Sequence, residues 1–292
     1  MNRFVCFMWL ATLIIIDNSA TKSAKADDFE DWLNSPPTGQ VEAYEYAGED
    51  EDEPEGGLEH GWNPFPAASA GGPPPANVFG IYKRKPVSRS RSFPYRTIGR
   101  LSLGCTGTLV GPRHVLTAGH CVYDTEHDRF TRLSELSFSP GQNGDLRPYG
   151  TIRAIRSSTS KRYSREHNPG FDYGMVLLER PIGRRTGWMN FTPFLSGKKY
   201  GINISGYPGD KPNGSQWHAY CPIERVLSER MYYGCDTFGG NSGSAIYVLG
   251  RLSAKSREII GVHVEGGETQ NKGTRMTQAK YNLIRRFIAN NP

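Results

Sequence analysis

The sequence predicts an all-β protein of many short antiparallel strands, arranged as a barrel or a sandwich. Three observations carry that prediction. From about residue 98 onward, short apolar runs recur at 101–103, 108–110, 115–116, 175–178, 202–205, 245–249 and 259–264. Gly, Pro, Asn and Asp separate them, which is the chemistry of turns. The runs follow one another without the strand–helix alternation of a parallel sheet. The chain has 292 residues with 34 Gly and 20 Pro, enough for one large domain or two small ones. Its glycines and prolines keep no fixed period, which excludes a collagen or a solenoid.

Taken in order, the chain begins with Arg3, an apolar stretch at 4–16, and the small residues Asn18-Ser19-Ala20 and Ala24-Lys25-Ala26. A charged start, a short apolar core and small residues form the pattern of a cleaved secretory signal over 1–26, cut after Ala20 or Ala26. About 13 apolar residues fall short of a spanning helix, although an uncleaved anchor is the competing reading. No other apolar run is long enough to notice, so a multi-span membrane protein is excluded. The expected destination is secreted and extracellular, with no membrane contact after the signal is cut.

Residues 27–77 carry thirteen acids and no Lys or Arg, a net −13. This segment cannot bury enough apolar surface to offset its ordering entropy, so it reads as a disordered pro-segment or linker. Residues 78–292 carry 32 bases and 15 acids, a net +17, and form the expected folded domain. That charge attracts polyanions such as anionic glycans or the chain's own acidic segment. Specific nucleic-acid recognition is excluded by the lack of a recognised motif and by export. The bases Lys83-Arg84-Lys85 and Arg89-Ser-Arg91 resemble processing sites, with Pro86 blocking a cut directly after Lys85. At the far end Met276, Ala279, Leu283, Ile284, Phe287 and Ile288 share one helical face, predicting an amphipathic helix over 276–290.

Five cysteines are present; Cys6 leaves with the signal, and the remaining four suit two disulfides in an oxidising compartment. Asn190-Phe-Thr, Asn203-Ile-Ser and Asn213-Gly-Ser are candidate glycosylation sites at Asn190, Asn203 and Asn213. The spacings Cys-x-x-Cys and His-x-x-x-His are absent, and no acidic Ca²⁺ loop is evident, so no metal and no cofactor are expected.

Three motifs carry chemistry: Leu116-Thr-Ala-Gly-His120-Cys121, Phe171-Asp172-Tyr173-Gly174 and Gly239-Gly240-Asn241-Ser242-Gly243-Ser244. Singly, each has an ordinary reading: a strand-end histidine, a turn-capping aspartate, a turn serine. Jointly they supply what amide hydrolysis needs. A serine hydroxyl is a weak nucleophile until a histidine takes its proton. A carboxylate must hold that imidazole in one tautomer and stabilise its cation. Backbone N–H groups of a glycine-rich turn, here Gly240 and Ser242, can receive the oxyanion.

In the order His120, Asp172, Ser242 the sequence resembles the chymotrypsin-like serine endopeptidases. More narrowly it resembles the bacterial glutamyl endopeptidases, through Ser205-Gly-Tyr-Pro-Gly-Asp-Lys-Pro212, Gly239–Ser244 and Gly261-Val-His263. The resemblance spans 78–292. It implies two antiparallel six-stranded barrels, over about 78–190 and 191–275, with the active site in the cleft between them. It implies a monomer acting on peptide or protein substrates. A Cys105–Cys121 bridge would pin His120, and a Cys221–Cys235 bridge would brace the specificity pocket. In that family, residues at the places of Thr237 and His263 bind a substrate carboxylate, which predicts cleavage after Glu or Asp. Asp236, six before Ser242, stands where trypsin-like enzymes select Arg or Lys, and Glu265 lies near the pocket rim. Arg/Lys cleavage is therefore one alternative, unless Asp236 points away and bonds to backbone. A catalytically silent, polyanion-binding homologue is the other. Asn241 replaces the aspartate that captures the new N-terminus in trypsin-type zymogens. The stretch 78–84 resembles the family's mature start, so removal of 27–77 is the expected activating step.

Overall fold

The computed structural model describes residues 78–194, 200–249 and 257–292. The expected signal and the acidic segment lie outside the described residues.

Six strands build the first barrel: β1 (Ile98–Leu101), β2 (Thr106–Leu109), β3 (His114–Thr117), β4 (Ser137–Pro140), β5 (Ile152–Thr159) and β6 (Gly174–Leu178). They run β1-β2-β3-β6-β5-β4 and close through β4 against β1. Six more build the second: β7 (Gly201–Gly206), β8 (Trp217–Val226), β9 (Arg230–Tyr233), β10 (Ala245–Leu249), β11 (Arg257–Glu265) and β12 (Asn271–Arg275). Here the ring runs β8-β7-β10-β11-β12-β9 and returns to β8. The expected pair of antiparallel six-stranded barrels is what the chain adopts.

Burial explains why some strands were legible and others were not. Strands β2, β3 and β6 are buried along their whole length; β6 reads as a plain apolar run, and β2 and β3 show shorter ones at Leu109-Val110 and Val115-Leu116. Strand β5 alternates Ile152 and Ala154 inward with Arg153 and Ile155 outward. Strand β12, Asn-Lys-Gly-Thr-Arg, is polar almost throughout and still buries Asn271, Gly273 and Thr274. The core of barrel two gathers Ile202, Ile204, Met231, Tyr233 and Ile246. The core of barrel one merges with Tyr247, Val262 and the C-terminal helix, so apolar contact is continuous between the barrels.

Two expectations need correction. Residues 78–87, expected in the first barrel, lie on the second. The short strand Lys85–Pro86 pairs with β8 at His218 and Trp217, Tyr82 bridges Cys235, and the Val87 amide donates to the Gln216 carbonyl at 2.9 Å. Strand β9 pairs with β8 only from Ile223 onward, which leaves the edge of its first half to that segment. The helix forms over Gln278–Ala289, capped by the Thr277 hydroxyl, with Met276, Leu283, Ile284, Phe287 and Ile288 on the core as expected and one place on that face filled differently. Ala279 is exposed, while Lys280, Ile284 and Phe287 are buried. A lysine takes the inner position because its amine finds a carboxylate there (Glu229 Oε2, 2.6 Å). Among the described residues no helix is long and apolar enough to cross a membrane.

Candidate active site

Strand β3 ends at Thr117, and the chain tightens into the turn Gly119–Cys121 that carries His120. Asp172 follows the turn Pro169–Phe171, whose start is fixed by the Asn168 side chain accepting the Gly170 amide at 3.0 Å. Because β3 and β6 are hydrogen-bonded neighbours, with Thr117 opposite Gly174, both residues emerge at the same barrel end. His120 Nδ1 lies 2.8 Å from Asp172 Oδ2, and the His120 amide donates to Oδ1 at 3.0 Å. One carboxylate thus holds both the ring and the backbone of the same histidine. Gly119 is required here: a Cβ would fall 2.6 Å from Thr159 Oγ1 and 3.0 Å from Asp172 Oδ1. Burial opposes protonation of His120, and the bond and charge of Asp172 outweigh it, so its pKa stands above the ordinary histidine value. The Cys105–Cys121 disulfide joins the residue after His120 to the start of β2.

Ser242 sits in the turn 239–244 ahead of β10. The Asn241 amide donates to the Phe238 carbonyl and the Ser244 amide to the Asn241 carbonyl, both at 2.9 Å. Barrel one grips this turn through Thr106: its amide donates to the Ser242 carbonyl at 2.8 Å and its hydroxyl to the Gly240 carbonyl at 2.8 Å. Gly243, at φ +85°, presses against the strand that leads to His120. A Cβ there would lie 2.1 Å from both the Thr106 carbonyl oxygen and Thr117 Oγ1, and 3.0 Å from the Ala118 nitrogen. A side chain there would push the turn away from the first barrel. The amides of Gly240 and Ser242 donate to no described residue.

His263 leaves β11 beside the same turn. Its amide donates to the Ser244 carbonyl at 2.9 Å, and its carbonyl accepts from Gly243 at 2.8 Å. The buried ring meets the Tyr233 hydroxyl at Nδ1, 2.7 Å away. Burial, with the nearby His120 adding to it, pulls the His263 pKa down to about 3 against the pull of Glu265. The ring is neutral at working pH. Thr237 is fully buried, and its Oγ1 has no partner among the described residues. Asp236 is turned the other way: Oδ1 accepts the amides of Phe79 at 2.6 Å and Gly80 at 3.0 Å. It bonds to backbone and holds the N-terminal segment. Glu265 is matched by Arg230, at 2.6 Å, and by Lys272.

The second disulfide, Cys221–Cys235, ties β8 to the residue before Asp236. Asn190 and Asn213 are exposed, whereas Asn203 is half-buried within β7, its side-chain Nδ2 donating to the Tyr247 carbonyl at 3.4 Å. Cys105, His120 and Cys121 cluster closely enough for a metal, but the two sulfurs are bonded to each other. Sequence reasoning missed Tyr233 and Thr106. Tyr233 lies 30 residues from His263 and meets it across β12, over Gly273. Thr106 carried one local signal, its place beside Cys105.

A serine-bearing glycine turn of one six-stranded barrel, set against a histidine–aspartate pair of another, is the arrangement of the chymotrypsin-fold serine endopeptidases. Residues 84–288 match the family model described as Trypsin, and the chain belongs to that family. It is 36% identical over 219 residues to a glutamyl endopeptidase of Bacillus licheniformis, covering 71% of this chain and 68% of the relative. It is 34% identical over 221 residues to a Bacillus subtilis protein described as an extracellular metalloprotease, covering 72% and 69%. A solved structure of a Glu endopeptidase in complex with MPD superposes with a TM-score of 0.66 at 31% identity, covering 73% of this chain and 99% of that one.

Proposed function

We propose that the protein is a secreted serine endopeptidase that cuts after Glu or Asp, with Ser242 as nucleophile, His120 as base and Asp172 as its orienter. The Ser242 hydroxyl attacks the scissile carbonyl while its proton passes to His120 Nε2. Asp172 stabilises the imidazolium, consistent with its hold on Nδ1 at 2.8 Å. The amides of Gly240 and Ser242, which donate to no described residue, receive the oxyanion. His120 then gives its proton to the leaving amine, and a water repeats the sequence on the acyl-enzyme.

The observation that carries the specificity is the buried, unpartnered Thr237 hydroxyl beside an aspartate that is already engaged. A buried hydroxyl without a partner costs about 1–3 kcal/mol. A substrate carboxylate would recover that loss. Tyr233 favours the same ligand: a hydroxyl donating to Nδ1 leaves the His263 hydrogen on Nε2, free to donate to an acid. Selection of Arg or Lys would need Asp236 in the pocket, and Oδ1 of its carboxylate already accepts from Phe79 and Gly80. That commitment also supports activation by cutting ahead of Phe79, so that 27–77 leave and the docked segment stays. Export through 1–26 agrees with the description of the Bacillus subtilis relative as extracellular. Anionic glycans remain the partner class that the +17 surface suits.

The test is digestion of a mixed peptide library by the secreted, processed protein beside its Ser242→Ala variant, with cut sites read by mass spectrometry. Cuts after Glu or Asp by the wild type alone are expected. Cuts after Arg or Lys would refute the specificity, and cutting by Ser242→Ala would refute the triad.

A further inference from the structure

The turn that presents Asp172 is held from behind by a buried cation. Lys280 Nζ donates to Glu229 Oε2 at 2.6 Å, to the Arg275 carbonyl at 3.0 Å and to the Glu229 carbonyl at 3.5 Å. Its side chain is 2% exposed. The same amine lies 4.8 Å from the centre of the Phe171 ring, and the Arg162 guanidinium lies 4.2 Å from it. Phe171 is the residue next to Asp172. Glu229 touches the turn as well, since a Cβ on Gly170 would fall 2.7 Å from the Glu229 Cβ. The Thr274 hydroxyl completes the grip by donating to the Asp172 carbonyl at 3.0 Å. A lysine taken out of water is costly unless its bonds have a use. An apolar residue would fill an inner helix position with less penalty, yet here a lysine stands against the turn that carries a catalytic carboxylate.

We propose that Lys280 is a positioning residue for catalysis: through Glu229 and the Phe171 ring it clamps the 168–172 turn so that Asp172 meets His120. The proposal rests on the triad assigned above. It assigns the C-terminal helix a part in the reaction although that helix supplies no group to the cleft. The charged groups facing the amine are Glu229 from the β8–β9 hairpin, Arg275 from β12 and Arg162 from the short helix Lys161–Ser164. Burial lowers the Lys280 pKa to about 8 and Glu229 opposes it, so the clamp is charged at neutral pH.

Lys280→Met keeps the aliphatic stem and removes the charge. Glu229→Gln removes the partner and leaves the lysine, and it serves where the first variant fails to fold. Both are compared with Lys280→Arg and with Ser242→Ala for kcat, KM and the pH profile of kcat/KM. The expected result is a kcat lowered about tenfold or more at unchanged KM. The acid limb, set by His120, moves to lower pH because a loosened Asp172 raises the histidine pKa less, and Lys280→Arg restores both. Merely structural support would lower the active fraction and leave that limb in place. Folded Lys280→Met and Glu229→Gln proteins with a wild-type acid limb overturn the proposal. Activity surviving in Ser242→Ala marks failure of the triad reading instead.

Discussion

Lowering the pH from 7 to 5 should destabilise this protein by charging histidines that the fold keeps neutral. Burial brings the pKa of His263 to about 3 and those of His114 and His218 to about 4 each. In the unfolded chain each titrates at about 6.5. The folded values lie below the unfolded ones, so stability is complete above pH 6.5. It is lost as pH falls toward the folded values, because only the unfolded chain takes up the protons. Each unmatched proton is worth about 1.4 kcal/mol per pH unit. At pH 5 that is about 2 kcal/mol per histidine and about 6 kcal/mol for three, against a usual total of about 5–15 kcal/mol. His120 works in the opposite sense, since Asp172 raises its pKa, and offsets a part. Urea unfolding of Ser242→Ala protein, which on the proposed mechanism cannot digest itself, measures the slope between pH 7 and 5. His114→Gln and His218→Gln should each lower the limiting slope by about one proton. The first of these substitutions keeps a donor for the Asn291 carbonyl that His114 Nε2 meets at 2.8 Å. A stability that stays flat over this range would refute the reasoning, as would both variants keeping the full slope.

Two further outcomes follow from single contacts. Replacing Cys105 and Cys121 by serine frees a loop of sequence separation 16 and should cost about 3 kcal/mol. Thermal unfolding in the Ser242→Ala background reads this, and an unchanged midpoint would contradict it. Asp236→Asn weakens the acceptor of the Phe79 and Gly80 amides, and their hydrogen exchange should accelerate about tenfold, equivalent to about 1.4 kcal/mol. Equal exchange in both proteins would deny Asp236 that role.

The parts of the site that were legible in the sequence are those whose function demands local chemistry. His120 and Ser242 adjoin Gly119 and Gly243, and Asp172 lies two residues from Gly170 and Gly174; none of these glycines has room for a side chain, and such constraints leave short, readable motifs. Strands buried throughout were equally plain, while β12 hid because its polar residues are satisfied only by neighbours in the ring. The direction of Asp236 could not be read, since its partner amides lie 156 and 157 residues away. Lys280 was passed over for a related reason. Periodicity puts apolar residues on the inner face, and the carboxylate that makes a cation tolerable there comes from another hairpin.

The N-terminal segment gives the molecule an order of assembly. Apart from the Val87 carbonyl, which accepts from the Asn143 side chain, its docking partners lie among residues 210–236, so most of its pairing waits until much of the second barrel has been synthesised. Contacts of such span close late, because the loop-closure entropy comes before the reward. During that interval the bases Lys83-Arg84-Lys85 are open to a processing protease. Afterwards Arg84 is gripped by Asp210 through two bonds of 2.7 and 2.6 Å, with 5% of its side chain exposed. A cut after Arg84 is thus a matter of timing: in the finished molecule its two bonds to Asp210 must break first, while Lys83 and Lys85 on either side stay exposed.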